Sequence, residues 1–299
     1  AEIKGLTHIG GIVLDRIRAL DELYKAAREG KGQTITGLST LYRELDRRIY
    51  GLNGSDLIIL AARPGMGKTS FAMNIATNVG KKYPEKSIAI FSLEMSKEQI
   101  VSRMISSEAS LTSDAMKTGE IQPEKWKDIG RASDVLSRLG IYIDDTPGIT
   151  VASMKAKLRR MKNLGLVIID YLQLMSSTRN YNGNRVLEIS DITRNLKVMA
   201  KELNVPVITL SQLARGTEQR PDKRPLLSDL RESGSIEQDA DIVMFLYRNS
   251  YYDKTDPNVH ACECIVAKNR HGEPGTVALG WDGEYTRFTN AELVRQEGQ

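Results

Sequence analysis

Cysteine is scarce in this chain, and long hydrophobic runs are absent. Only Cys262 and Cys264 occur among the 299 residues, and two positions apart on an apparent strand they are poorly placed for a structural disulfide. We therefore expect a reducing, cytoplasmic compartment. No apolar run approaches the roughly 18 residues of a membrane span, and the chain does not open with a signal-peptide pattern. These absences predict a protein without a membrane partner.

An excess of charge of one sign is also lacking. Lys and Arg number 42 against 38 Asp and Glu, for a formal net charge of +4, which allows a polyanionic partner without requiring one. The composition is that of an ordinary soluble globular chain, and the length suits one sizeable domain with short accessory segments. His260, Cys262 and Cys264 alternate and would share one face of a strand, but without a fourth ligand nearby they do not favour a metal site.

The most informative motif begins with an apolar run. Residues 57 to 61 are continuously apolar, which is typical of a strand covered on both faces. Residues 62 to 69 then follow the P-loop pattern G-x-x-x-x-G-K-[ST], except that Ala62 replaces the first glycine. Gly65 and Gly67 let the backbone close around a polyphosphate, and the helix that follows adds its positive N-terminal end.

Lys68, Thr69 and Asp170 supply the side-chain chemistry expected of such a loop. Lys68 would place a positive charge at the β- and γ-phosphates, and the Thr69 hydroxyl would be a ligand of Mg²⁺. A second apolar strand, residues 166 to 170, ends in Asp170, the Walker-B arrangement in which the carboxylate holds Mg²⁺ directly or through water. The two motifs together predict an ATP and Mg²⁺ site. A glycine turn beside an incidental lysine would explain neither the Lys-Thr pair nor the preceding strand.

Two further polar residues follow or end predicted strands. Glu94 comes after the strand at residues 87 to 92, where a carboxylate can orient or deprotonate an attacking water. It could equally belong to the start of the next helix near Ser96, where negative charge is also favourable. The strand at residues 205 to 210 ends in Ser211 and Gln212, and Gln212 could sense the γ-phosphate, although a surface amide is the alternative. The sequence leaves both choices open.

The chain divides near residue 34. Residues 11 to 29 carry apolar side chains at helical spacing with charged residues between them, which predicts an amphipathic helix. Gly30 and Gly32, within residues 30 to 33, end this helix. We therefore assign residues 1–34 to a linker region and residues 35–299 to the main domain. The helix either packs on its own domain or docks its apolar stripe on a neighbouring subunit, and the linker favours docking.

The main domain is predicted to be α/β. Strands alternate with helices through residues 57 to 246, which indicates a mostly parallel sheet flanked by helices on both faces. Three late strands are predicted at residues 241–247, 261–267 and 276–281, and the last two would add an antiparallel edge.

Two polar loops with basic residues follow predicted strands. The first, residues 176 to 185, contains Arg179, and the second, residues 214 to 231, is long and irregular and contains Arg220 and Arg231. Loops of that length inside a compact domain are more often functional than structural. Such loops suit a nucleic-acid channel that contacts phosphates. Few aromatic residues accompany them, which predicts recognition of the backbone rather than of the bases.

Six phrases of the sequence, in this order, resemble the replicative DNA helicase family of bacteria and phages, the DnaB type. They are residues 62–69, 91–95, 170–173, 211–213, 229–241 and 268–270. The resemblance implies a RecA-like ATPase core that forms a homohexameric ring around single-stranded DNA, hydrolyses ATP at subunit interfaces and unwinds duplex DNA. The missing first glycine of the P-loop agrees with this family.

The same resemblance implies roles for individual residues. The nucleotide would contact Arg63, Gly65, Met66, Gly67, Lys68, Thr69, Ser70 and Arg248. Thr69 and Asp170 would hold Mg²⁺. Glu94 would activate water, Gln212 would read the γ-phosphate, and Lys268 and Arg270 would enter the neighbour's site as fingers. The DNA-binding residues would be Arg179, Arg220, Arg231, Glu232 and Gly234, with Glu232 acting through its backbone N–H.

Within one subunit we do not expect Arg270 to reach the γ-phosphate. The turn at residues 268 to 270 joins two late strands at the far edge of the sheet, whereas the P-loop follows the first strand of the core. A site shared between subunits resolves this. The primase-contacting N-terminal domain of the family has no counterpart here, and residues 1 to 29 resemble only the linker after it, so primase and a helicase loader stay open as partners.

Two other classes share part of this pattern. A recombinase or clock-type RecA-like ATPase would keep the P-loop, Glu94 and Asp170, but would form open filaments or double rings and would lack the docking helix. A scaffolding module that uses ATP as structural glue would bind nucleotide without turnover stimulated by single-stranded DNA.

Overall fold

The computed structural model describes residues 5–30, 35–233 and 235–291, and for residues 231–233 it describes the backbone only. The chain has two compact units, Ala1–Thr36 and Gly37–Gln299. Within the described ranges, no helix is long and apolar enough to cross a membrane. The same ranges contain no group of three or more potential metal-ligating side chains, and Cys262 and Cys264 are free, buried thiols.

The first unit is built on one helix, α1 (Ile9–Arg28). The ring of His8 caps its start by accepting a hydrogen bond from the Gly10 N–H at 3.1 Å. A stripe of apolar side chains along the helix is exposed, comprising Ile9, Ile12, Val13, Ile17, Leu20 and Tyr24. The predicted amphipathic helix is therefore present.

The second unit contains nine strands, among the described residues, in one sheet. They are β1 (Leu57–Ala62), β2 (Ser87–Ser92), β3 (Ile141–Asp144), β4 (Leu164–Asp170), β5 (Val207–Gln212), β6 (Ile242–Tyr247), β7 (Ala261–Asn269), β8 (Gly275–Asp282) and β9 (Arg287–Asn290). Their order is β3-β2-β4-β5-β1-β6-β7-β8-β9. Strands β1 to β6 pair in parallel, and β7, β8 and β9 add antiparallel pairs at one edge. The predicted mostly parallel α/β sheet is confirmed.

Helices connect and cover these strands. They are α2 (Arg43–Ile49), α3 (Lys68–Lys82), α4 (Lys97–Ala109), α5 (Ser113–Thr118), α6 (Lys125–Ser137), α7 (Val151–Leu158), α8 (Arg185–Leu203), α9 (Ile236–Asp239) and α10 (Asn249–Tyr252). Short 3-10 helices occur at Leu172–Leu174, Arg215–Gln219, Leu227–Ser233 and Gly283–Tyr285. The long loop predicted at residues 214 to 231 therefore contains two 3-10 helices.

The central strands are buried on both faces, and β1 lies at the centre of the sheet. Ile58 and Leu60 belong to one hydrophobic cluster with α2, α3 and α4, whereas Leu57 and Ile59 belong to a second cluster with α7 and α8. Successive strand residues point to opposite faces. A continuous apolar run is therefore what a strand covered on both sides requires.

Candidate nucleotide site

The P-loop lies between the carboxyl end of β1 and the start of α3. Gly65 and Gly67 have φ angles of +83° and +99°, a region that side chains rarely adopt. A Cβ on Gly67 would also lie 2.9 Å from the Phe288 ring, and one on Gly65 would lie 3.1 Å from the Tyr251 ring. Both glycines are thus required by backbone conformation and by close packing. The resulting turn directs the N-terminal end of α3 into a cleft.

Thr69 and Asp170 meet at the base of this cleft. Lys68 and Thr69 are each 8% exposed, and Asp170 is fully buried. The Thr69 hydroxyl donates to Asp170 Oδ2 at 3.0 Å, while the buried Oδ1 of Asp170 has no hydrogen-bond partner. A buried carboxylate oxygen without a partner is costly, and a hydroxyl beside a carboxylate is an oxygen pair that suits Mg²⁺. The residues therefore fit the predicted ion.

Burial perturbs both charged groups of the site. It lowers the pKa of Lys68, although the nearby carboxylates of Asp170 and Glu94 act to raise it. Burial raises the pKa of Asp170, although Lys68 and the Thr69 hydroxyl act to lower it. Desolvation thus disfavours the charged form of each residue. A bound polyphosphate and a divalent cation would supply the opposite charges that favour those forms.

The cleft itself is large enough for a nucleotide, with a volume of about 520 Å³ in the usual range for ligand pockets. Its walls come from several parts of the chain. They include the P-loop and the start of α3, Glu94 and Met95 after β2, Gln99 and Arg103 of α4, and Gln212, Trp281 and Thr286. The sheet therefore brings together Glu94, Gln212 and the P-loop, which are far apart in sequence.

Glu94 is not needed to start α4. The N-cap of that helix is Ser96, whose hydroxyl accepts from the Gln99 N–H while the Gln99 side chain accepts from the Ser96 N–H. The acidic residue in the first turn is Glu98. Glu94 instead lines the cleft, at the carboxyl end of a strand next to β4. This placement favours the role at the attacking water over the role at the helix start.

Gln212 is the last residue of β5, and its position is fixed by a second glutamine. The Gln212 N–H donates to Gln173 Oε1 at 3.2 Å, and Gln173 Nε2 donates to the Ser211 hydroxyl at 2.8 Å. Gln173 lies within residues 170–173, but the local sequence there did not predict that it holds Gln212. This contact depends on β5, which begins 34 residues later along the chain.

Two of the predicted nucleotide ligands, Arg63 and Arg248, also hold neighbouring loops of the protein. Arg63 donates to the Leu213 carbonyl at 2.6 Å and to Glu218 at 3.0 Å. Arg248 donates to the Gly65 carbonyl at 2.6 Å and to the Met66 carbonyl at 3.3 Å. Arg248 therefore contacts the P-loop from the side of its carbonyls, where it stabilises the turn.

Met66 and Ser70 are also engaged with the protein. The Met66 side chain is buried in the hydrophobic cluster, so only its backbone is available to a phosphate. The Ser70 hydroxyl accepts from Arg103 at 3.3 Å. Arg103 lines the cleft and was missed by sequence reasoning, because a single arginine within a helical pattern does not differ from a surface residue.

Lys268 and Arg270 lie at the opposite end of the sheet from the P-loop. Lys268 Nζ donates to the Glu237 carbonyl at 2.7 Å, and Arg270 Nη1 donates to Asp241 Oδ1 at 2.7 Å. Asp241 also accepts from the N–H of Leu57, the first residue of β1, whereas the P-loop follows the last. A strand of six residues separates them by about 17 Å, so Arg270 does not reach the P-loop of its own subunit.

The predicted DNA-binding residues are only partly described. Arg179 is exposed in the loop before α8. Arg220 forms a bidentate ion pair with Asp229 at 2.7 and 2.8 Å, and thereby closes the segment between the two 3-10 helices of the long loop. The side chains of Arg231 and Glu232, and Gly234 as a whole, lie outside the described residues.

The fold and the cleft are those of a P-loop nucleotide-binding domain with a RecA-like core. Residues 37–290 match the model of the DnaB-like helicase C terminal domain, and the chain belongs to this family, as its sequence phrases predicted. It is 54% identical over 261 residues to the replicative DNA helicase DnaC of Bacillus subtilis (strain 168), covering 86% of this chain and 57% of that protein. It is 53% identical over 268 residues to the replicative DNA helicase DnaB of Geobacillus stearothermophilus, covering 89% and 59%.

Solved structures agree with this assignment. One solved ATPase domain is 41% identical, with a TM-score of 0.84, covering 91% of this chain and 97% of that one. A DnaB-like replicative helicase, solved in a study of its interactions with primase, is 41% identical with a TM-score of 0.82, covering 91% and 66%. The chain thus spans less than two thirds of the length of these two Bacillus and Geobacillus helicases and nearly all of an isolated ATPase domain.

Proposed function

We propose that this chain is the motor of an ATP-dependent replicative DNA helicase. In this proposal it assembles as a homohexameric ring, translocates on single-stranded DNA, unwinds duplex DNA and hydrolyses ATP at the subunit interfaces. The names of its relatives support the helicase activity. Primase and a helicase loader are proposed partners of the whole protein, and for primase the support is the described interaction of one relative.

One observation carries the proposal. Each subunit has the P-loop, Thr69 and Asp170 at the carboxyl end of the sheet, and it has Arg270 at the amino end, separated from its own P-loop by the length of β1. A basic side chain that is 63% exposed at that edge could complete the cleft of a neighbouring subunit. Repetition of one such head-to-tail contact generates a closed ring if the rotation closes.

In the cleft, Lys68 would contact the β- and γ-phosphates, and the turn at Gly65 and Gly67 would direct backbone N–H groups at them. Thr69 and Asp170 would hold Mg²⁺, which offsets the charge of the phosphates when bound. Glu94 would orient the attacking water and accept its proton. Gln212, held by Gln173, would contact the γ-phosphate.

The neighbour would contribute positive charge. Arg270 and Lys268 would face the γ-phosphate across the interface and stabilise the charge that develops during transfer, as arginine fingers do in other ATPases. Such a group acts only when the adjacent subunit is in place. Turnover would therefore depend on assembly.

DNA would be held through its phosphates. Arg179 is free to contact the backbone from the loop before α8, and Arg231, Glu232 and Gly234 would form the gripping loop, with Glu232 acting through its N–H. The ion pair of Arg220 with Asp229 gives this arginine a second role, since it orders the loop that leads to Arg231. Contacts to phosphate rather than to bases would leave translocation independent of sequence.

The direct test is the ATPase rate with and without single-stranded DNA, on material whose mass has been measured by light scattering. We expect a mass of about six times the 33.3 kDa of the chain and a rate that rises with DNA, because a closed ring is the symmetric outcome of a head-to-tail contact. A protein that binds ATP without DNA-stimulated turnover would instead match the scaffolding class.

A further inference from the structure

A charged cluster lies at the amino ends of β1 and β6, at the opposite end of the sheet from the P-loop. Its centre is Asp241, whose side chain is 5% exposed. The carboxylate accepts from the Leu57 N–H at 2.8 Å, from Lys197 Nζ at 2.7 Å and from Arg270 Nη1 at 2.7 Å. The Arg270 N–H also donates to the Asp241 carbonyl at 3.0 Å. Asp241 thus holds Arg270 by both its backbone and its side chain.

The anchor itself is fixed. Leu57 begins the central strand. Lys197 lies on α8 and also donates to the Ser55 carbonyl at 2.6 Å. The strand and the helix therefore hold the Asp241 carboxylate independently of Arg270. Burial would raise the pKa of Asp241, but the hydrogen bonds from Lys197 and Arg270 lower it below its ordinary value. The group is therefore ionised at neutral pH, and a charged acceptor makes the stronger hydrogen bond.

The guanidinium of Arg270 is held along one side only. Its Nη1 faces the buried carboxylate, while the side chain as a whole is 63% exposed. A guanidinium is a planar fork with five N–H donors, so the remaining donors can meet a phosphate oxygen while Nη1 stays engaged. Arginine is flexible when unrestrained. An anchored arginine presents its free donors in one direction.

We propose that Asp241 is a positioning residue for ATP hydrolysis in the neighbouring subunit. It fixes the guanidinium of Arg270 so that the free donors face the γ-phosphate across the interface. This inference rests on the proposed function, in which Arg270 acts in trans. Asp241 lies at the amino end of β1, away from the P-loop at the other end of that strand, so in this proposal it acts only through the arginine.

The test uses the full chain with Asp241→Asn, which keeps the size of the side chain and an acceptor for the Leu57 N–H but removes the charge that holds Arg270. We expect kcat to fall by about 10²-fold, the scale of a misplaced catalytic group. The KM for ATP should change little, because the P-loop belongs to the other end of the subunit. Lys155→Gln is the control, since it removes an ion pair with Glu202 of α8 at 3.0 Å that is not part of this cluster. Its kcat should remain within about threefold of the parent's, a small loss beside the misplacement scale.

A double variant separates positioning from mere stabilisation. If Asp241 acts through Arg270, then Asp241→Asn adds no further loss of kcat to Arg270→Ala. A further loss of about tenfold in the double variant would overturn the inference. A rise in kcat with Asp241→Asn alone would also overturn it, because the aspartate would then hold Arg270 away from the γ-phosphate. Should Asp241→Asn not fold, Asp241→Glu keeps the charge but shifts the carboxylate by one methylene, and we expect a loss of about tenfold. A parental kcat for Asp241→Glu would then contradict the inference.

Failure of the inference can be told apart from failure of the proposed function. If Arg270→Ala alone retains the parent's turnover, the trans finger itself is wrong. If Arg270→Ala is inactive while Asp241→Asn turns over like the parent, the finger stands and only the positioning role is wrong.

Discussion

Burial shapes the properties of individual residues in the cleft as much as their charge does. Lys68 is almost fully covered beside the carboxylate of Asp170, and its Nζ lies 4.7 Å from the centre of the Tyr171 ring. Burying a cation costs desolvation free energy, and the attraction of a nearby carboxylate offsets this cost only in part. The position of Lys68 is explained by a polyphosphate ligand rather than by the stability of the fold.

Lys68→Ala should therefore remove ATP turnover and leave the fold intact. We expect a loss of at least about 10²-fold, the scale of removing one electrostatic donor from an active site, with an unchanged circular dichroism spectrum. Lys81→Ala is the control, since Lys81 lies on the same helix and pairs with Glu108 at 2.6 Å near the surface. Turnover of Lys68→Ala within about threefold of the parent, far short of that electrostatic scale, would show that the loop is not catalytic.

Glu94 gives a second prediction at this scale. Glu94→Gln keeps the size of the side chain but cannot accept a proton, so turnover should fall by about 10²-fold or more while nucleotide binding is retained. The control is Ser96→Ala, which removes the cap of α4. It should cost about 1 kcal/mol of stability and little turnover. The opposite pattern, in which Glu94→Gln lowers the melting temperature alone, would favour the helix-start role.

Arg179 tests the DNA contact. Arg179→Ala should weaken binding to all single-stranded sequences about equally and reduce the slope of log affinity against log salt by about 0.7. Arg131→Ala, which changes an exposed arginine of α6, is the control and should leave the slope unchanged. Affinity lost for one sequence only would point to a base contact.

Part of this site could be predicted from the sequence. The P-loop, Asp170 and Glu94 follow apolar runs directly, so their place at one end of a parallel sheet is set by local order along the chain. Arg103 and Gln173 could not be found in this way. Each acts through a partner on another element, and no local pattern marks such a contact.

At the scale of elements, the central strands were predicted closely and the peripheral ones less so. β5 begins at Val207 rather than at residue 205, because Pro206 lacks an N–H for the ladder and the strand starts after it. It ends at Gln212, as predicted. β9 and α2 were not predicted, since four and seven residues are too few to show a periodic pattern.

The helix α1 yields a prediction at this scale. If its exposed apolar stripe docks on a neighbouring subunit, Ile17→Glu should lower the oligomer mass measured by light scattering, because the charge would be buried at the contact. Nucleotide binding by the isolated chain should persist. Arg18→Glu places the same residue on the charged side of the helix and should have a smaller effect. An unchanged mass for Ile17→Glu would indicate that the stripe is not part of the assembly.

At the scale of the whole molecule, we propose that a single chain carries two separated halves of one active site. The P-loop half could be predicted from the motifs. The second half, at Arg270, was predicted from the resemblance and from the distance of its turn from the P-loop. The contact of Arg270 with Asp241 places it at the end of β1 opposite the P-loop. The sequence does not show which surface of the neighbour receives the finger, because that depends on how complete folded units pack.

The central claim, a site shared between subunits, is tested most directly by mixing two inactive variants. Arg270→Ala keeps an intact P-loop, and Lys68→Ala keeps an intact finger. Random assembly places these two intact halves together at about a quarter of the interfaces in a ring. Fluorescence should first confirm that subunits exchange. We then predict that DNA-independent ATP turnover returns in the mixture. Turnover that stays at the level of the separate variants after confirmed exchange would contradict the account.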